Sequence, residues 1–261
     1  DITLRSLSVL KKSDIILCED TRRSLKLLNH FKIKKKLISY HKFNEKKTLN
    51  GIIEYLNQGK ILSLISDAGT PSLSDPGQIL IKECIKHKIK IYPIPGASSI
   101  TSAMSISGYD DKFLFYGFLP KKDKEVEKIL SKLKDINFSI IFFVPGIKIN
   151  FYLKKFKSFF TGRDLLIARE MTKMHETFYR NSVDLVELFQ PSLKGELTIV
   201  ISKKYNNNKT VTDINIKNQA ITYLKKYSMK DVVELISKRE QISKKKVYEI
   251  CLKIKNDENN S

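Results

Sequence analysis

A chain of 261 residues that is 41% hydrophobic and 29% charged can build one large or two modest folded domains and fits a soluble globular protein rather than a wholly disordered one. Its net charge of +20 fits an acidic partner, nucleic acid in the simplest case, although the excess is carried by lysine and is also the bias of an AT-rich genome. No apolar run is long enough to span a membrane and no signal peptide is visible, while three cysteines and four histidines without paired or ligand-like spacing predict a reduced, cytoplasmic protein with no structural metal.

The chain begins as an alternation of strands and helices. Asp14–Cys18 reads as a strand and Thr21–Phe31 as a helix with Leu25, Leu28 and Phe31 on one face. Lys36–Tyr40 follows as a strand, Lys46–Leu56 as a helix ending before Gly59, and Lys60–Ile65 as a strand. Gln78–His87 reads as a helix, Ile89–Tyr92 as a strand, and Ala97–Ile106 as a helix of small residues suited to close packing. This order predicts a mostly parallel sheet in an N-terminal domain over 1–120, closed by the aromatic strand Phe113–Phe118.

A helix from the charged stretch at Lys121 to about Leu133 opens a second, α+β domain over 121–205. Its strands are expected at Phe138–Val144, Asp164–Glu170, Glu176–Tyr179 and Glu196–Ile201, with helices at Asn150–Phe159 and Ser182–Phe189. The polar run Lys203–Asn208 reads as a linker. Three short helices follow within 214–256, at Ile216–Lys226, Lys230–Ser237 and Lys244–Lys255, with Ser228 and Ser243 as N-caps of the last two. The turn Arg239–Ser243 makes this segment helix-turn-helix-like. Between Lys225 and Lys255 ten Lys/Arg face four Asp/Glu, which fits RNA contact as well as a solvated lysine face.

Two loops are tightly prescribed by glycine and proline. Ser66–Gly77 follows the Lys60–Ile65 strand, and Pro93–Ser99 follows the next one. Loops at successive strand ends of an α/β sheet are where ligands sit. No two glycines stand in Gly-x-Gly spacing, so neither a dinucleotide fingerprint nor a phosphate loop is present. Two further motifs carry charge. Glu19-Asp20-Thr21-Arg22 closes a strand and opens a helix, and Ala168–Glu176 closes another strand. Taken alone, each is a cap, a turn or a charged strand end; their order and spacing carry the inference.

Together with Asp1–Arg5, Leu37-Ile38-Ser39-Tyr40-His41, Phe115–Pro120 and Lys194-Gly195-Glu196, these motifs resemble the small-subunit ribosomal RNA methyltransferase I family of the tetrapyrrole-methylase superfamily. The resemblance spans nearly the whole chain. It implies an α/β, two-domain tetrapyrrole-methylase-like fold with a small C-terminal helical segment, working as a homodimer. It also implies S-adenosyl-L-methionine bound between the domains and 2′-O-methylation of a cytidine in the decoding region of 16S rRNA, with the small ribosomal subunit as partner. Carried onto this chain, Asp67, Gly69, Thr70, Leu73, Ser98 and Ser99 line one side of the cofactor pocket, and Phe143, Val144, Ala168 and Glu196 the other. The family pattern also implies a strand and a Pro-x-Gly-Asn loop ahead of Asp1. Where the family has Tyr-Glu-x-Pro-His-Arg, this chain has Phe143-Val144-Pro145-Gly146-Ile147-Lys148.

A ribose hydroxyl is a weak nucleophile, so an acceptor for its proton is expected. Glu19, Asp20 and Glu170 are the catalytic candidates, with Asp67 a further acid nearby. Arg22, Arg23 and Arg169 are candidates for the RNA backbone, since the planar guanidinium suits phosphate. Methylation of a small anionic tetrapyrrole, and a non-catalytic ribosome-binding role, remain as alternatives.

Overall fold

The computed structural model describes residues 1–204, 213–224, 227–240 and 242–259. The chain divides into two compact units, Asp1–Lys204 and Tyr205–Ser261.

The first unit opens with helix α1 (Leu4–Lys12), which was not among the predicted elements. Leu4, Leu7 and Leu10 recur at helical spacing, with Leu7 and Leu10 packing toward Ile16, and the cap is legible too: the Thr3 hydroxyl accepts the Ser6 N–H. Strands β1 (Ile15–Cys18), β2 (Lys36–Ser39) and β3 (Leu62–Ile65) then form a parallel sheet in the order β2-β1-β3. Helices α2 (Thr21–His30), α3 (Glu45–Asn57), α4 (Gln78–Lys86) and α5 (Ser99–Ser105) alternate with these strands or follow them. Period-2 alternation splits β1 between two layers. Ile15 and Leu17 pack with Ile52, Ile53 and Leu80 of α3 and α4, whereas Ile16 packs with Leu10 and Leu28 of α1 and α2. Because the strands are parallel, the loops after β1, β2 and β3 emerge at one edge of the sheet.

Five strands form the second sheet: β4 (Phe113–Phe118), β5 (Ser139–Pro145), β6 (Asp164–Arg169), β7 (Thr177–Ser182) and β8 (Glu196–Ile201). Their order is β4-β5-β8-β6-β7, with β4 parallel to β5 and the other pairs antiparallel. The strand Phe113–Phe118, placed by pattern at the end of the first domain, is thus an edge of this second sheet. Helices α6 (Asp123–Leu133) and α7 (Ile149–Phe159) cover one face through Val126, Leu130, Leu153 and Phe156 against Phe142 and Ile199. Each of these side chains is fully buried, which is worth roughly 1.5–3 kcal/mol apiece. The opposite face receives Ile100 and Ala103 of α5 against Ile141, Leu166 and Val200. That contact fastens the first sheet's last helix to the second sheet. Arg163, buried at the start of β6, donates to the carbonyls of Lys134, Ile136 and Ser202, a use of the guanidinium fork that involves no nucleic acid.

Two expected elements do not form. Among the described residues Ile89–Tyr92 pairs with no strand, Tyr92 is 74% exposed, and β3 pairs with β1 alone. Ser182–Phe189 makes one turn after β7 and then leaves helical geometry. Asn150 captures that backbone, accepting the Phe189 N–H and donating to its carbonyl, each at 2.9 Å.

The second unit contains α8 (Asp213–Leu224), α9 (Met229–Glu240) and α10 (Lys244–Asn259), packed through Ile216, Ala220, Val232, Ile236, Val247 and Cys251. Ser228 and Ser243 accept the N–H groups of Asp231 and Lys246, as N-cap residues do. Tyr205–Asn208 of the expected linker, Lys225 and Lys226 of the first helix, and Gln241 of the turn lie outside the described residues. Cys18, Cys84 and Cys251 are buried free thiols. Among the described residues no helix is long and apolar enough to cross a membrane.

Candidate active site

The loops after β1 and β3 and the Ala97–Ser99 segment face the second sheet across a cleft of about 560 Å³, within the range of small-molecule sites. Its first wall starts at Glu19, directly after β1. The Glu19 carboxylate accepts the Asp67 N–H at 3.4 Å, and Arg23 of α2 pairs with the Asp67 carboxylate at 3.1 Å.

The Ser66–Gly77 loop is folded by its own side chains. Ser66 donates to the carbonyls of Ala68 and Gly69, and the Ser72 N–H closes onto Pro76. Ser72 and Ser74 adopt positive φ, a strain that the surrounding contacts must hold. Gly77 is obligatory at the loop's end: φ is +139°, and a Cβ would come within 2.8 Å of Leu64. Its N–H donates to the buried Glu45 carboxylate of α3 at 2.8 Å. Thr70 donates to Ala97, tying this loop to the one that carries Ser98 and Ser99.

The second wall comes from the strand ends of the five-stranded sheet. Phe118 and Phe143 meet edge to face at 5.4 Å, with Val144 and Ala168 beside them in the lining. Beyond β6 the chain turns sharply, with positive φ at Glu170 and Thr172. The Glu170 carboxylate accepts the Glu196 N–H at 2.9 Å and pairs with Lys173 at 3.0 Å.

Of the expected site residues, the cleft brings together Glu19, Arg23, Asp67, Gly69, Thr70, Leu73, Ser98 and Ser99 from one side. Phe143, Val144, Ala168, Glu170 and Glu196 meet them from the other. Asp20, Arg22 and Arg169 lie outside the lining. Asp20 caps α2 through the Arg22 N–H and pairs with the Arg22 side chain, which holds its carboxyl well below the usual range. Arg169 donates to the Lys194 carbonyl.

Asp75 and Lys173 also line the cleft, and the sequence did not single them out. Asp75-Pro76 reads in sequence as a helix start, and only the fold sets it beside Glu19. Burial, and after it the Glu19 charge, push the Asp75 carboxyl up to about 6. Glu170 goes the other way: the Glu196 N–H and Lys173 lower its pKa. Five carboxylates (Glu19, Asp67, Asp75, Glu170 and Glu196) thus share the lining with two cations, Arg23 and Lys173. The cleft is acidic in a chain of net charge +20.

Residues 1–186 match the family described as Tetrapyrrole (Corrin/Porphyrin) Methylases. Curated relatives named "Ribosomal RNA small subunit methyltransferase I" align closely. That of Mesomycoplasma conjunctivae is 46% identical over 78% of this chain and 86% of its own length. That of Buchnera aphidicola is 37% identical over 97% of this chain and 92% of its own. Among solved structures, the methyltransferase CobJ superposes with a TM-score of 0.59 at 15% identity, covering 77% of this chain and 88% of CobJ. The cobalt precorrin-4 methyltransferase CbiF gives a TM-score of 0.55 at 16% identity, covering 77% of this chain and 88% of its own. At that identity the likeness is one of fold.

Proposed function

The chain belongs to the ribosomal RNA small subunit methyltransferase I family of the tetrapyrrole methylases, and from that premise we propose that it methylates the 2′-oxygen of a cytidine ribose in the decoding region of 16S rRNA, with S-adenosyl-L-methionine as methyl donor. The observation that carries this reading is the contrast of charge. An acidic cleft suits a small cationic donor, and a basic exterior suits a polyanionic substrate. The small ribosomal subunit is then the partner and the cytoplasm the place of reaction.

The lining fits the donor. Five carboxylates complement a sulfonium and an ammonium, and the Phe118–Phe143 pair offers an apolar face to adenine. Asp67, Gly69, Thr70, Leu73, Ser98 and Ser99 would hold it from one wall, and Phe143, Val144, Ala168 and Glu196 from the other. When bound, the donor supplies an electrophilic methyl group and a neutral thioether as leaving group. The protein's part is to bring the ribose oxygen into line and to receive its proton; positioning of this kind is worth roughly 7–11 kcal/mol.

Among the lining acids, we assign the role of proton acceptor to Asp75, part-buried in the cleft. Its carboxylate is more basic than the paired Glu170, yet it is still mostly ionised at neutral pH. Glu19 keeps that basicity raised by its charge. Exposed lysines along α10, including Lys244, Lys245, Lys246 and Lys253, support contact of the helical unit with RNA phosphates.

Calorimetry with S-adenosyl-L-methionine is expected to show one saturable site per chain. A protein that binds rRNA without binding the donor would be a ribosome-binding protein only.

A further inference from the structure

The loop after β2 is part of no cleft wall, yet it is built with care. Asn44 accepts the His41 N–H at 2.8 Å and donates to the Ser39 carbonyl at 2.9 Å. The His41 ring nitrogen Nδ1 accepts the Phe43 N–H at 3.3 Å, and the two rings meet edge to face at 6.1 Å. Buried Tyr40 anchors the base of the loop and donates its N–H to Cys18. This rigid frame presents Phe43 to solvent. At 94% exposure it is the most exposed large hydrophobic side chain among the described residues. A lone exposed apolar residue needs no explanation, but a locked loop that holds an aromatic ring in water does.

The setting of the loop indicates the ligand. It stands at the same sheet edge as the cleft, with the Ser39 hydroxyl donating to the Glu19 carbonyl at the first wall. Exposed Lys42, Lys46 and Lys47 flank Phe43 in sequence, and α2, which follows the neighbouring strand, carries exposed Arg22 and Arg23, paired with Asp20 and Asp67. An exposed aromatic ring among cations is how proteins hold unpaired bases, by stacking beside phosphate contacts. We propose that Phe43 is a stacking platform for an unpaired base of the RNA substrate, next to the nucleotide that enters the cleft. The proposal rests on the reading of this chain as an RNA methyltransferase.

The test uses Phe43→Leu and Phe43→Trp in the full chain. In methylation assays on small subunits lacking the modification, Phe43→Leu is expected to raise KM for the subunit about 5- to 150-fold, with kcat and donor affinity unchanged. Phe43→Trp restores the parental KM. The chain has no tryptophan, so Phe43→Trp is also a single reporter, and a single-stranded oligocytidine should quench its emission. A parental KM for the leucine variant overturns the platform, as does emission indifferent to RNA. Quenching by ribosomal protein alone would point to a protein contact and overturn it too. A parental protein that binds the donor but methylates no subunit would instead bring down the proposed function.

Discussion

Asp75→Asn is expected to lower kcat for methyl transfer about 10²–10⁴-fold, the range for losing a general base, with little change in donor affinity. Asparagine keeps the shape of the side chain but cannot take the proton. Because Asp75 titrates near 6, parental turnover should rise as pH increases through 6 and level off above it. The variant's residual rate should lack that rise. Stability should move oppositely. The folded-state value lies above the ordinary 3.8, so the protonated form favours folding. That contribution is fully present below the unfolded value and is lost as pH rises through about 6. At pH 7–8 the ionised side chain therefore opposes folding, and Asp75→Asn should raise Tm there, by on the order of 1 kcal/mol of stability after allowing for partial exposure. Parental turnover in the variant would rule Asp75 out as the acceptor.

Gly195→Ala, just behind the second wall of the cleft, should be strongly damaging. Gly195 sits at φ +92°, where an L side chain is strained, and a Cβ there would come within 2.5 Å of the Glu170 carboxyl carbon. Glu170 would have to release the Glu196 N–H, and the second wall would lose its brace. The Gly195 carbonyl also accepts the Gly146 N–H at 2.8 Å, so the disturbance reaches the end of β5. A loss of about 2–4 kcal/mol is expected in urea denaturation, together with at least a tenfold loss of donor affinity by calorimetry. A variant with parental stability and affinity would show that the Glu170–Glu196 contact does not support the site.

Much of this architecture is legible in the sequence because strands and helices announce themselves by period. The apolar run Ile15–Cys18 and the helix expected over Thr21–Phe31, with Leu28 buried, are examples. Position within the fold is not local, and there the sequence is silent. Ile89–Tyr92 has the composition of a strand but no partner. Ser182–Phe189 has a helical pattern, but a distant asparagine holds its backbone. Likewise, Asp20 and Asp75 are both acids beside a helix start. Only the fold distinguishes them: Asp20 caps α2 in solvent, and Asp75 lies in the cleft against Glu19.

The most direct measurement is to incubate small ribosomal subunits lacking the modification with the protein and S-adenosyl-L-methionine carrying a labelled methyl group, and then to map the label on the 16S rRNA. The expected result is a single labelled 2′-O-methylcytidine in the decoding region, absent when Asp75→Asn replaces the parental protein at short times. Label on a base, or transfer to a reduced tetrapyrrole with none to RNA, would contradict it.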